Sequence, residues 1–275
     1  MMTALHIEEH NGGFFRLLHR NRIRVEHRWC DSVQLKCVTY EHYRGKIGWT
    51  GVDRFVKAQR NRVLCPPDLP LPKECGYKRY VSHALSRRMC ENAALYLLRT
   101  AEARGIKVVL IDEIGDSVGL TENLSDFCDP VYVVTAATDI YAAQAEYLLN
   151  EKGAALRICR DSTCLQDADL IIAPEQIADT LLCPYDALIL TGEMPAAPQN
   201  TTAIYEYFFD LPQKYRELCP DFLTEMYFAS ALYAMAGARE LGAELFTRCG
   251  DGVILQTRQS LSELLKKRLL SRTNS

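Results

Sequence analysis

The most constraining stretch of this chain is residues 131–173, where two short apolar runs flank an amphipathic one. Val131 to Val134 reads as a strand, Ile140 to Glu151 as a helix, Gly153 as its stop, and Ala155 to Cys159 as a second strand. Asp169 to Ala173 follows as a third apolar run. Short β-branched runs separated by helix-length periodic segments form parallel strands with helices covering both faces. An all-helical bundle and an antiparallel sandwich are thereby excluded for this part of the chain.

The pattern continues on both sides. Lys107 to Ile111 and Ala187 to Leu190 read as further strands, giving five in all, with helices predicted over 117–127 and 175–182. Upstream, Ser82 caps a long predicted helix to Arg104, which Gly105 ends. Downstream, Asp221 to Leu241 reads as a helix apolar nearly all round. Ser260-Leu261-Ser262-Glu263 is a capping-box start for the last helix. The first part differs. Residues 4–43 read as an antiparallel meander turning at Asn11-Gly12-Gly13, with runs at Phe14 to Leu18, Ile23 to Trp29 and Val33 to Tyr43. Val52, Phe55 and Val56 place a short helix near 50–60, and four prolines stiffen 66–72.

Charge divides the chain in the same place. Residues 1–90 hold 17 Lys+Arg against 8 Asp+Glu and all six His, whereas residues 91–275 hold 15 against 27. The expected organisation is a basic α+β domain over 1–81, then a Rossmann-like α/β domain over 82–275 whose C-terminal helices pack back. A mean hydropathy of −0.13 and no apolar run near the ~20 residues of a membrane span predict a protein without membrane segments. Met1 to His10 holds acidic residues where an export signal needs apolar ones, so a cytoplasmic location is expected. The eleven Cys contain no C-x-x-C pair and read as reduced, mostly buried thiols. The closest pair, Cys159 and Cys164, is included in that reading rather than taken as a metal or redox site, and no metal is expected.

In open parallel sheets, ligands sit beyond the carboxyl ends of the strands, where helix N-termini offer free N–H groups. The first candidate is therefore the turn Thr135-Ala136-Ala137-Thr138-Asp139. A dinucleotide site would carry G-x-G-x-x-G there, and this turn has no glycine. Thr135, Thr138 and Asp139 can equally cap the following helix. The second candidate is Arg160-Asp161-Ser162, since an acid there suits a ribose hydroxyl and an Arg suits the extra phosphate of NADP.

With its G-A-x-L-x-I-C-R-D-S-x-x-L-x-x-A-D-L-I-I-A-P pattern ending at Pro174, this stretch resembles the cofactor half of the methylenetetrahydrofolate and shikimate dehydrogenases. The resemblance implies an N-terminal substrate domain, a Rossmann domain binding NADP or NAD, and C-terminal helices. It places the cofactor on Thr135, Ala136, Ala137, Thr138, Arg160, Asp161, Ser162, Ala173 and Pro174. The glycine turn and the Lys and Asp of the substrate domain have no counterpart here, so no catalytic residue is assigned.

Three weaker patterns complete the reading. Asp112-Glu113-Ile114-Gly115-Asp116-Ser117-Val118-Gly119 partly resembles the first motif of S-adenosylmethionine-dependent methyltransferases, with Gly115 also explained as a turn and Ser117 as a cap. His6-Ile7-Glu8-Glu9-His10 has the spacing of inverted zinc peptidases, but on a strand its two imidazoles stand roughly 13 Å apart. Arg22, Arg24, Arg28, Trp29, Tyr40, Tyr43, Arg44, Lys46 and Trp49 would offer a basic aromatic face to nucleic acid, and Tyr77-Lys78-Arg79-Tyr80 a site for an anion. The expected function is binding of a nucleotide or other small anionic ligand in an interdomain cleft, with NAD(P)-linked oxidation if the protein is an enzyme. The alternative is a non-catalytic Rossmann descendant serving as a binding or regulatory module.

Overall fold

The computed structural model describes residues 1–10, 19–101, 105–237, 241 and 246–273. The chain divides into two compact units, 1–85 with 211–243, and 86–210 with 244–275. The division is thus not a single cut after residue 81. Residues 211–243, assigned by sequence to the second domain, belong to the first unit.

In the first unit, β1 (Met2–Glu9), β2 (Arg22–Cys30) and β3 (Val33–His42) form a sheet in the order β1-β3-β2. β2 and β3 are an antiparallel hairpin turning at Asp31, whose φ is 50°. β1 runs parallel to β3, with Met2 opposite Leu35 and Glu9 opposite His42. The predicted meander is corrected here. β1 is an outer strand of this sheet and yet is buried almost throughout from Met2 to Ile7, because it is covered rather than open along its free side. Its far edge is closed by Leu64, whose carbonyl accepts from the Leu5 N–H at 2.8 Å. The Asn11-Gly12-Gly13 turn and the Phe14 to Leu18 run lie outside the described residues.

Helix α1 (Trp49–Val56) buries Val52 and Val56 against Leu5, Val38, Tyr40 and Tyr77, whereas Phe55 is exposed. The unit is completed by the short α5 (Gln213–Arg216) and by α6 (Glu225–Met235). α6 begins four residues later than predicted, because the Thr224 side chain accepts from the Tyr227 N–H and sets the start there.

The second unit holds a six-stranded parallel sheet. Its strands are β4 (Val108–Ile111), β5 (Val131–Val134), β6 (Leu156–Cys159), β7 (Leu170–Ala173), β8 (Leu188–Thr191) and β9 (Ala203–Ile204). Their spatial order is β6-β5-β4-β7-β8-β9, and all pairings are parallel. Numbered from β4, this is the 3-2-1-4-5-6 order of the Rossmann fold. Every residue of β7 and β8 is buried, which explains why β7 is wholly apolar and β8 apolar up to Thr191. The connecting helices include α2 (Ala84–Ala101), α3 (Leu120–Leu124) and α4 (Thr138–Lys152). Gly153, at φ 65°, ends α4 in the left-handed conformation that glycine adopts without strain.

Four expectations are corrected in this unit. β9, two residues long, is a sixth strand too short to carry a pattern. α3 covers only part of 117–127. The predicted helix over 175–182 is absent, since that segment is laced to the loop after β8. The Ala196 N–H donates to the Ile177 carbonyl at 2.8 Å, and Thr180 Oγ1 donates to the Pro198 carbonyl at 2.8 Å. The last helix, α7 (Arg258–Thr273), starts ahead of the capping box, with Thr257 Oγ1 accepting from the Ser260 N–H at 3.2 Å. A small antiparallel sheet of β10 (Glu206–Phe208), β11 (Arg248–Gly250) and β12 (Leu255–Thr257) adjoins it in sequence.

Candidate functional site

The strand order fixes where a Rossmann ligand would lie. Successive connections from β4 run one way to β5 and β6, then back past β4 to β7, so the switch point is between β4 and β7. The loop that follows β4 is 112–119, and it takes the role the sequence reading gave to 135–139. Residues 131–159 are the second strand-to-strand step of the sheet, after β4 to β5, and 160–173 lead on to β7.

That loop closes on its own first residue. Asp112 is 1% exposed at the carboxyl end of β4. Its Oδ1 accepts from the Gly115 N–H at 2.9 Å, and its Oδ2 from the Ser117 N–H at 2.8 Å. Tyr141, from α4, donates its hydroxyl to the same Oδ2 at 2.5 Å. Burial and then the Asp112 carboxylate hold the Tyr141 hydroxyl well above the usual phenol range, so it stays a donor. Gly115 adopts φ 87°, and a Cβ there would stand 2.8 Å from Ile140 Cδ1, so the loop lies directly on the start of α4.

A second carboxyl stands beside the first. Glu91, from α2, accepts from Ser117 Oγ at 3.3 Å and from Arg88 Nη1 at 3.1 Å. Burial raises its pKa and the negative charge of Asp112 adds to the rise, against the opposing effects of Arg88 and Ser117. Further along the same edge, Arg87 joins Glu175 at 3.1 Å and Glu193 at 2.9 Å, the residues just beyond β7 and β8. Thr191 Oγ1 reaches the Glu175 and Glu193 carbonyls at 3.0 and 2.9 Å. Gly192 is required for this closure, because a Cβ would meet the Pro174 carbonyl oxygen at 2.1 Å and Arg87 Cα at 2.9 Å.

The candidate cofactor residues all sit at carboxyl ends of strands but not at one point. Thr135, Ala136, Ala137 and Thr138 follow β5. Thr135 is buried and its Oγ1 accepts from the Ala137 N–H at 2.9 Å. Ala137 holds the N-cap position of α4 without a side-chain cap, so neither Thr138 nor Asp139 caps it. Arg160, Asp161 and Ser162 follow β6 at the sheet edge, two strands from the switch point, and are exposed. Asp161 is engaged locally, its Oδ1 accepting from the Thr163 N–H at 3.1 Å. Ala173 and Pro174 are buried at the end of β7, the Ala173 carbonyl accepting from the Gly192 N–H at 3.1 Å. Sequence reasoning did not single out Glu91 or Tyr141, and it named Asp112 only as the first residue of the loop compared with the methyltransferase motif, not as an acceptor for its own loop. The signal that could have found Asp112 is its place directly after the first strand of the sheet, where a fingerprint glycine belongs.

Pyrophosphate binding requires free loop N–H groups and a backbone open to approach. Here two loop N–H groups serve Asp112, whose fixed negative charge would repel a phosphate. The residues of this loop do not fit a dinucleotide held in the Rossmann manner.

The remaining candidates lie in the first unit. His6 stacks on Phe222 at 4.7 Å, and His10 stacks on Tyr43 at 4.5 Å, so the two imidazoles have separate surroundings. No group of three or more metal-ligating side chains occurs among the described residues. Of the basic aromatic set, Arg22 pairs with Glu41, while Arg24 and Arg28 pair with Glu26. Tyr40 is buried, Trp49 packs on Tyr77, and Trp29 is 65% exposed. Arg79 lies 4.1 Å over the Tyr227 ring and donates to the Cys65 carbonyl, so this Arg is committed within the unit. No described helix is long and apolar enough to cross a membrane.

No family model matches the chain, and no curated protein is significantly similar to it. Among solved structures, the crystal structure of L-tryptophan dehydrogenase from Nostoc punctiforme is similar at 12% identity and a TM-score of 0.32, over 100% of this chain and 89% of that one. At that level the assignment of a Rossmann-like α/β fold rests on the strand order of the chain itself.

Proposed function

We propose that the second unit is a Rossmann-type module whose first-strand phosphate contact has been replaced by an internal one, and that the chain works as a non-catalytic binding or regulatory protein. The observation that carries this reading is Asp112, a carboxylate of the loop bound to the N–H groups that would otherwise face a pyrophosphate. Replacement of a ligand anion by a side-chain anion keeps the loop ordered with nothing bound. The Arg87 bridge to Glu175 and Glu193 has the same effect at the neighbouring strand ends.

The second reading is an NAD(P)-linked oxidoreductase, as the dehydrogenase resemblance implies. Its specific support is the exposed Arg160 beside Asp161 and Ser162, which leaves a guanidinium open to a nucleotide phosphate. A thermal-shift panel of NADP, NAD, adenosine monophosphate and a short RNA separates the readings. A ligand at 100 times its dissociation constant adds about 2.7 kcal/mol. The expected result is no stabilisation by either dinucleotide at millimolar concentration. Stabilisation by NADP that is lost in Arg160→Ala would overturn the non-catalytic reading, and a salt-sensitive response to RNA would redirect attention to the first unit.

A further inference from the structure

The thiols of Cys159 and Cys164 are brought together by the turn that ends the sheet. Cys159 is the last residue of β6, and its carbonyl accepts from the Thr135 N–H at 3.4 Å, which holds the strand end to β5. The chain then reverses into a single 3-10 turn, Ser162–Leu165. Asp161 fixes that turn by accepting from the Thr163 N–H at 3.1 Å and from Thr163 Oγ1 at 2.5 Å. Cys164 Sγ points back to the Asp161 carbonyl at 3.9 Å. Both sulfurs face the same side of the sheet, where Cys164 is 9% exposed within a core cluster and Cys159 packs against that cluster from its rim. Each thiol is directed to a backbone carbonyl, Cys159 Sγ to that of Arg157 at 4.0 Å, and the two side chains are close enough that the Cys159 thiol acts on that of Cys164.

The geometry points to Cys159 and Cys164 as a dithiol that closes to a disulfide under a mild two-electron oxidant such as hydrogen peroxide, stapling the end of β6 to the turn that carries Arg160, Asp161 and Ser162. This differs from the expectation that both are inert buried thiols. Proximity is the reason, since a pre-formed turn removes most of the entropy cost of bringing two sulfurs together. The roles differ between the two. Cys159 is the more exposed and meets the oxidant. Cys164, whose thiol burial and then the neighbouring Cys159 push up to about 12, keeps its proton until the bond closes.

The chemistry balances without any other group. The Cys159 thiolate attacks one peroxide oxygen, the O–O bond breaks, and hydroxide leaves to take up the proton that Cys159 released. Cys159 is then a sulfenic acid. Cys164 sulfur attacks that sulfur, the S–S bond forms and the S–O bond breaks. The departing hydroxide takes the Cys164 proton. Two thiols and one peroxide become one disulfide and two waters.

The test uses the full chain treated with a small excess of hydrogen peroxide, then alkylated, digested without reductant and mapped by mass spectrometry. A 159–164 linkage, seen as a loss of two hydrogens with neither residue alkylated and reversed by dithiothreitol, is the expected result. The linkage is expected to persist in Cys75→Ser, which removes the thiol at the exposed Cys75, and to vanish in Cys159→Ser. Alkylation of both residues after oxidation would overturn the assignment. So would a Cys159 carried to its sulfonic acid while Cys164 stays a thiol, or a Cys159 linked to another cysteine. If Cys159→Ser does not fold, the wild-type peptide map alone decides.

Discussion

Replacing Asp112 by Ala tests the assignment of this residue as a built-in anion. The substitution removes one buried carboxylate and three hydrogen bonds, from the Gly115 and Ser117 N–H groups and the Tyr141 hydroxyl. A hydrogen bond to a charged group contributes about 1.5–3 kcal/mol, and a donor left unsatisfied in the interior costs about 1–3 kcal/mol. Those contributions overlap, and water can enter to serve one of the donors, so a loss of about 4 kcal/mol is expected, as for other broken buried charge contacts. Urea unfolding followed by far-ultraviolet circular dichroism is the appropriate assay, because both Trp29 and Trp49 lie in the other unit and tryptophan fluorescence does not report on this loop. A carboxylate added from solution should restore part of the loss, since acetate can occupy the vacated cradle and bind only the folded form. A cost below about 1 kcal/mol, with no response to acetate, would show that the carboxylate does not organise the loop, and the proposed function would lose its support.

Three further outcomes follow from the same edge of the sheet and from the last helix. Gly192→Ala forces a Cβ to 2.1 Å from the Pro174 carbonyl oxygen and 2.9 Å from Arg87 Cα, and a backbone cannot yield as a side chain does. A loss of about 3 kcal/mol in urea unfolding is expected, and a neutral result would refute the packing described. Glu91 has a folded-state pKa raised chiefly by burial, so the native state binds the extra proton. Its contribution is fully present below the ordinary carboxylate pKa and is lost as pH rises through the raised value. Glu91→Gln should therefore gain on the wild type with increasing pH across that window, and stability curves that stay parallel from pH 4 to pH 8 would contradict it. Thr257→Ala should cost about 1 kcal/mol and Ser260→Ala less, because Thr257 supplies the cap of α7; the reverse order in thermal melts would restore the capping box of the sequence reading.

What could be read from sequence was what depends on local pattern. The strand runs at 108–111, 131–134, 170–173 and 188–191 are mainly apolar because both sheet faces are covered there, whereas the edge strand at 156–159 is legible from Leu156, Ile158 and Cys159 although Arg157 is exposed. Gly153 marks the end of α4 because only a residue tolerant of positive φ ends a helix in that way. Failures arose where a long-range contact outweighed local preference. Residues 175–182 have helical composition, but their polar groups are engaged by the loop at 194–200, and a helix would forfeit those bonds. Residues 211–243 follow the parallel sheet in sequence and yet belong to the first unit.

The candidate site divides along the same line. Sequence by itself determined that strand ends would present turns at 112–119, 135–139 and 160–162, because each follows an apolar run. It could not rank them, since the rank depends on which strand lies beside which. Only tertiary structure decided that β4 adjoins β7, which makes the 112–119 loop the switch-point loop. Only there does Asp112 become an acceptor for its own loop and for Tyr141, 29 residues further on. The physical reason is that strand runs are set by burial, a property each residue carries with it. Strand order and the partner of a buried charge are set by contacts between residues far apart in the chain.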